Sequence, residues 1–174
     1  MELIDIYDEK RHRIGQPVPR KGAFMQKGQY MLYVLALLED RQGRFLITRR
    51  ALDKKWAAGS WEVPGGGAQA GEDSFAAVTR EVREETGLVL AEHGFMEIDR
   101  KPVYSYANVD EKRGDNYFVD IFHFHLDFSE KDITLEKEES IDGRLASIGE
   151  IADIHKAQGF LHYERILEAL SAEE

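Results

Sequence analysis

The sequence contains no cysteine. That absence excludes a disulfide framework, a thiolate zinc site and a cysteine nucleophile. No apolar run approaches the roughly 18 residues of a membrane-spanning helix. The first dozen residues alternate acidic, apolar and basic positions, unlike a secretory leader. A cytoplasmic protein with no membrane partner is expected. Positive charge is also scarce: 23 Lys and Arg stand against 33 Asp and Glu, a net charge of -10. This argues against nucleic acid as a partner, because non-specific binding depends on neutralising phosphates with Lys and Arg. A small phosphate substrate remains compatible, since a metal ion can supply local positive charge. No repeat or low-complexity tract is visible, and 174 residues with 43% hydrophobic side chains suit one domain, residues 1–174, with one sizeable core.

What is present is concentrated between Gly66 and Leu88, GGAQAGEDSFAAVTREVREETGL. The pattern predicts a helix with Gly71 as N-cap, Glu72 and Asp73 in its first turn and Gly87 as the residue that ends it. At about 100° per residue, Phe75, Val78, Thr79, Val82 and Thr86 share one stripe, while Glu81, Glu84 and Glu85 cluster on another side. Like charges three and four apart destabilise a helix by about 0.2–0.5 kcal/mol per pair, and acids near a helix C-terminus oppose its dipole. A divalent cation reverses both penalties, and magnesium takes one or two carboxylates with phosphates and waters as its other ligands. Taken alone, EVREE also reads as a solvated helix face.

Around this stretch, Glu2–Tyr7 reads as an edge strand, and residues 10–28 as a basic loop carrying Lys10, Arg11, Arg13, Arg20, Lys21 and Lys27 around two prolines. That loop is either a solvated connection or a flap. Tyr30–Leu38 is nearly all apolar and is predicted to be a strand buried on both faces, with Arg44–Arg50 as its hairpin partner. Arg49, Arg50, Lys54, Lys55 and Trp56 then form a basic cluster beside an indole, either a phosphate clamp or a wet loop. Trp61–Pro64 is a short strand feeding Gly65, Gly66 and Gly67, which let backbone approach a ligand closely. Lys101–Ala107 and Tyr117–Leu126 read as strands, the second of them central, and Asp127–Asp142 as a charged loop. His123 and His125 project to one side of their strand; with no third metal ligand apparent, they read as buried, hydrogen-bonded sheet residues. A last strand near Arg144–Ser147 precedes a helical region over residues 148–172, interrupted near Gly159. This order suggests an α/β sandwich.

The spacing from Gly66 through Glu72, Arg80-Glu81-Val82 and Glu84-Glu85 to Gly87-Leu88 resembles the signature of the Nudix hydrolases at every specified position. The resemblance implies an α/β/α sandwich with a central mixed β-sheet and the signature as a loop, helix and loop. It implies hydrolysis of a nucleoside diphosphate linked to another group, with Mg2+ or Mn2+. Carried onto this chain, Glu81, Glu84 and Glu85 would hold metal with the carbonyl of Gly65. Arg80 would orient the carboxylates, and Glu72 would support the loop. Glu139, or else Glu138, would act from a loop before the last strand. Homodimerisation is common in the family.

Arg49, Arg50, Lys55, Glu62 and Gly66 are the candidates for contact with substrate. Trp56, Trp61, Tyr104 and Tyr106 could line a base or sugar pocket, and each could equally be core. ELIDIYDEKRHRIG and RFLITRRALDKKW also resemble the branch related to isopentenyl diphosphate isomerase. Isomerases of that type use a cysteine, which this chain lacks. A third reading is a ligand-binding or sensor domain; such domains have often lost signature acids, and all are present here.

Overall fold

The computed structural model describes residues 1–173. Its centre is a strand pair whose hydrophobicity leaves no solvent face. Strand β3, Met31–Glu39, follows β1 (Leu3–Tyr7) and β2 (Arg13–Pro19) and lies parallel to β8, Tyr117–His125. Alternation sends Leu32, Val34, Ala36 and Leu38 of β3 to one face and Leu35 and Leu37 to the other, and both faces are covered.

The remaining strands are β4 (Phe45–Arg50), β5 (Trp61–Glu62), β6 (Gly65–Gly67), β7 (Tyr104–Asn108) and β9 (Ser140–Ala146). Strand β7 pairs antiparallel with β8, while β4 pairs antiparallel with β5 and β9. On the edge of β3 away from β8, β6 pairs at Tyr33–Leu35 and β4 meets it only where Glu39 faces Phe45. The sheet therefore forks at this edge, and the glycine run lies inside the fork. Helix α1, Ser74–Thr86, and the short α2, Leu90–His93, cover one face, with Ala77, Val78, Val82 and Leu90 against Phe122 and Phe124. Helices α3 (Ile148–Gln158) and α4 (Tyr163–Ser171) cover the other, burying Ile151, Ile166 and Ala169 against Leu37, Ile47 and Ile121. The result is an α/β/α sandwich around a mixed sheet, as expected.

Several local expectations need correction. Asp73, not Gly71, caps α1: its carboxylate accepts from the Ala76 N–H at 2.8 Å, so Glu72 and Asp73 precede the first turn. Gly87 does end the helix, at φ 78°, with its N–H donating to Arg83. Strand β7 begins at Tyr104 rather than Lys101, and the segment expected as a loop through Asp142 joins β9 from Ser140.

The N-terminal segment differs most. Residues 13–19 form β2, which pairs with β1 in a separate two-stranded sheet instead of the edge of the main one. Prolines are tolerated on such an edge strand because their missing N–H faces no ladder. This hairpin grips the signature loop: Leu3 O accepts from Ala70 N–H, and the Asp5 carboxylate from Gly71 N–H. At its turn Arg11 makes a two-pronged bond to Asp120 on β8, at 2.9 and 2.7 Å. Asp120 is buried, and Ser105 supplies its other donor at 2.7 Å.

Losing one partner of a buried pair costs about 3–5 kcal/mol; because the Arg11 side chain is 39% exposed, Arg11→Met should cost less, about 2–3 kcal/mol. Chemical denaturation should show that loss, and the double change Arg11→Met with Asp120→Asn should recover part of it.

Candidate active site

Helix α1 and the fork bring the signature acids against the glycine run. The antiparallel ladder turns the polar groups of Gly65 and Gly67 away from β3, and α1 uses them: Gly65 N–H donates to Glu85 at 3.1 Å, and Gly67 C=O accepts from Arg80 at 3.0 Å. A Cβ on Gly66 would stand 2.4 Å from Glu81 Oε1, so the missing side chain is where that carboxylate lies. Glu81 is thus buried at the seam between helix and sheet, whereas Glu84 is exposed and Glu85 lies half-buried in the cleft.

Arg80 ties these groups together. Its Nε and one terminal nitrogen grip Glu72 at 2.8 and 3.0 Å, and the other terminal nitrogen reaches Glu81 at 3.0 Å and Glu84 at 3.1 Å. Bonding to Glu72 holds the Arg80 pKa well above its ordinary value. Burial alone would raise the Glu72 pKa, but Arg80 and the Gln69 N–H outweigh it, and the group stays below the usual carboxylate range. The inner acids behave oppositely. Burial pushes Glu81 up to about 7 despite Arg80. Burial, with the charges of Glu81 and Glu62, pushes Glu85 well above its ordinary value.

These acids line a cleft of about 490 Å³ that also receives Arg20, Arg50, Lys54 and Tyr33. Glu139 lines it too and pairs with Lys54, and Glu136 stands nearby. A second cavity of about 580 Å³ shares Arg20, Tyr33 and Arg50 and continues past Trp56 and His162 to Arg113 and Tyr117. The three shared residues form a cationic waist between an acidic chamber and an aromatic one.

Of the residues singled out in the sequence, the cleft gathers Gly65, Gly66, Arg80, Glu81, Glu84, Glu85, Arg50 and Glu139. Others lie outside its lining. Arg49 turns away and donates to Gly59 C=O at 2.8 Å. Lys55 is exposed, and its neighbour Lys54 enters instead. Glu62 is bound to Arg50 at 3.1 Å, and burial raises its pKa against the pull of Arg50. Glu138 is exposed and does not line the cleft. Trp61 belongs to the core, while Tyr104 and Tyr106 pack beside α4.

Sequence reasoning missed Arg20 and His162. Arg20, at the end of the N-terminal hairpin, covers the place where a Gly67 side chain would stand. Its guanidinium is braced by Glu2 at 3.3 Å. His162 faces Trp56 across the wider cavity with ring centroids 6.4 Å apart, and burial lowers its pKa.

An acid-lined, arginine-flanked cleft at the fork of a mixed sheet defines a class of hydrolases for phosphoric anhydrides. The NUDIX domain family model matches residues 29–170, and the chain belongs to the Nudix hydrolase family. It is 29% identical over 164 residues to an uncharacterised Nudix hydrolase of Listeria monocytogenes, covering 94% of this chain and 90% of that one. It is 28% identical over 162 residues to an isopentenyl-diphosphate Delta-isomerase of Streptomyces avermitilis, covering 91% of this chain and 77% of that one. In fold it is similar to protein DR0079 of Deinococcus radiodurans, with a TM-score of 0.75 at 20% identity over 97% of this chain and 99% of that one. No helix among the described residues is long and apolar enough to cross a membrane.

Two outcomes follow from this geometry. Gly66→Ala should displace the Glu81 carboxylate and reduce turnover at least about 100-fold, the scale of a lost general base, with the circular dichroism spectrum unchanged. The folded state also keeps the Glu81 proton up to pH about 7, whereas the unfolded chain releases it near 4.5. Without divalent cations, stability should therefore fall as pH rises between those values, by on the order of 3 kcal/mol, or about 6–12 °C in Tm. Thermal melts in chelator at pH 5 and pH 8 measure it, and Glu81→Gln should reduce the difference while leaving the part that Glu85 contributes.

Proposed function

We propose that the protein hydrolyses a diphosphate bond in a nucleoside diphosphate linked to another group, using Mg2+ or Mn2+. The observation that carries this reading is the continuity of the acidic cleft with the aromatic cavity through Arg20 and Arg50. A diphosphate spanning the waist would leave its organic groups in the wider chamber.

The donor set suits a hard divalent cation. Glu81, Glu84 and Glu85 offer carboxylate oxygens, and the raised pKa values of Glu81 and Glu85 mark negative charge that the protein alone leaves undercompensated. We assign these three acids and the carbonyl of Gly65 as the residues that would hold it. When bound, such an ion neutralises phosphate oxygens and acidifies a water.

The side chains supply the rest. Arg20, Arg50 and Lys54 bind and orient the phosphates by charge-assisted hydrogen bonds. Arg80 fixes the carboxylates and keeps Glu81 from swinging away. A carboxylate of the cleft, Glu81, Glu85 or Glu139, accepts the proton of the attacking water. Trp56 and His162 offer a stacking surface for a base.

An isomerase reading would need a cysteine that this chain lacks, and a sensor reading would not need the complete acid set. Phosphorus NMR with Mg2+ and a panel of nucleoside triphosphates, nucleotide sugars, dinucleoside polyphosphates and isopentenyl diphosphate tests the proposal. New phosphate signals that vanish with chelator are the expected result. Isopentenyl diphosphate consumed without phosphate release, or magnesium binding without any turnover, would overturn it. Glu85→Gln should reduce hydrolysis by about 1000-fold, within the range for removing an acid–base group, and Glu139→Gln by a smaller factor, as read from steady-state rates.

A further inference from the structure

One cluster of metal-binding side chains lies outside the cleft. Glu39 ends β3, and His123 and His125 end β8. The parallel register puts Leu37 beside His123 and Glu39 beside His125, and the period of two sends Glu39 and both imidazoles to one face. The third ligand that the sequence did not reveal is therefore a residue on the adjacent strand. Glu39 Oε2 lies 2.7 Å from His125 Nδ1 and 3.5 Å from His123 Nε2, and one donor atom from each residue lies within 4.8 Å of the other two.

His123 gives the cluster its meaning. Its side chain is 7% exposed, and its Nε2 is a buried nitrogen with no hydrogen-bond partner among the described residues. The opposite ring nitrogen, Nδ1, is 2.6 Å from Glu173 Oε2. A carboxylate only accepts, so Nδ1 carries a hydrogen toward Glu173, while Nε2, held by no hydrogen bond, faces the Glu39 carboxylate at 3.5 Å. A buried ring nitrogen left without a partner beside a carboxylate costs about 1–3 kcal/mol. A cation between them removes that cost.

We propose that Glu39, His123 and His125 form a transition-metal site of the zinc class, separate from the acidic cleft. Two imidazole nitrogens and one carboxylate oxygen are a zinc donor set with three protein ligands, whereas magnesium favours oxygen alone. Ligand atoms about 2.0–2.1 Å from a tetrahedral ion stand about 3.4 Å apart, close to the 3.5 Å between Glu39 and His123. The shorter contact to His125 opens by adjustment of a ring that is 32% exposed. Glu173 on the far side of His123 is the outer carboxylate that typically orients a metal-bound imidazole. Both histidines line a cavity of about 230 Å³ together with Met96, Asp99 and Glu173. Glu39 lies four positions along β3 from Leu35, the partner of Gly65, which at about 3.3 Å per residue is about 13 Å. The two sites share no ligand. Occupancy would pin the ends of the two central strands to each other and, through Glu173, to the segment that follows α4.

Zinc titration of the chelator-treated full chain against a chromophoric competitor, in excess magnesium, tests the assignment. One equivalent should bind, with long-range proton–nitrogen NMR shifts at His123 Nε2 and His125 Nδ1. Glu39→Gln and His125→Gln should each weaken that binding at least about 10-fold while magnesium-dependent activity stays within about twofold. Glu85→Gln should leave it intact. The absence of a zinc equivalent that survives magnesium, an unchanged affinity in either site variant, or its loss in Glu85→Gln would each overturn the proposal. The zinc-binding readouts do not depend on hydrolytic activity, so the two assignments fail separately.

Discussion

The acidic cleft depends on one guanidinium. Arg80 holds Glu72, Glu81 and Glu84 and a backbone carbonyl of the glycine run at once. It satisfies the loop before α1 and the end of the fork, and it partly compensates acids that burial would otherwise neutralise. An arginine suits this position because its planar fork reaches several acceptors in fixed directions and does not lose its charge in a protein. Compensation is incomplete, since Glu85 has no direct bond to Arg80 and relies on Gly65 N–H for its partner. That residual negative charge is the physical basis for expecting a cation there.

The scaffold limits where such a site can be built. Most of β3 is fully paired, so a ligand can approach the backbone only where the ladder is interrupted. The fork between β4 and β6 is that interruption, and the chain fills it with glycines so that carboxylates can come close. Cations reach the cleft from three directions: Arg20 from the N-terminal hairpin, Arg50 from β4 and Lys54 from the loop after it. Around an acidic body, this local convergence offsets an unfavourable net charge.

The sequence revealed the parts whose spacing is local. Helix α1, its acids and the glycine run follow from positions three, four and seven apart, β3 from an unbroken apolar run, and β8 from an aromatic-rich one interrupted by Asp120 and two histidines. It was silent where partners meet across the chain. Arg20 reaches the glycine run only because β2 pairs with β1, and prolines 17 and 19 concealed that strand. Glu39 joins the two histidines through strand register, which composition does not encode. Two misplacements were avoidable. In a strand, Arg49 and Arg50 must face opposite ways, so only one could enter the cleft; and Asp is a stronger N-cap than Gly, which favoured Asp73.

The parallel pairing of β3 with β8 also has a kinetic side. Residues 31–39 must find residues 117–125, and the glycine run, α1, α2 and β7 all lie in the intervening chain. Such distant pairings form slowly because loop-closure entropy is lost before contacts reward it. Helix α1, by contrast, is local and can form early with its acids exposed. The glycine run and β3 both precede β8 in the chain, so their shorter-range pairing does not wait for the central pair, whereas the cover that Phe122 and Phe124 give α1 comes only with β8. During synthesis α1 would therefore wait for β8 before Phe122 and Phe124 close over its apolar face.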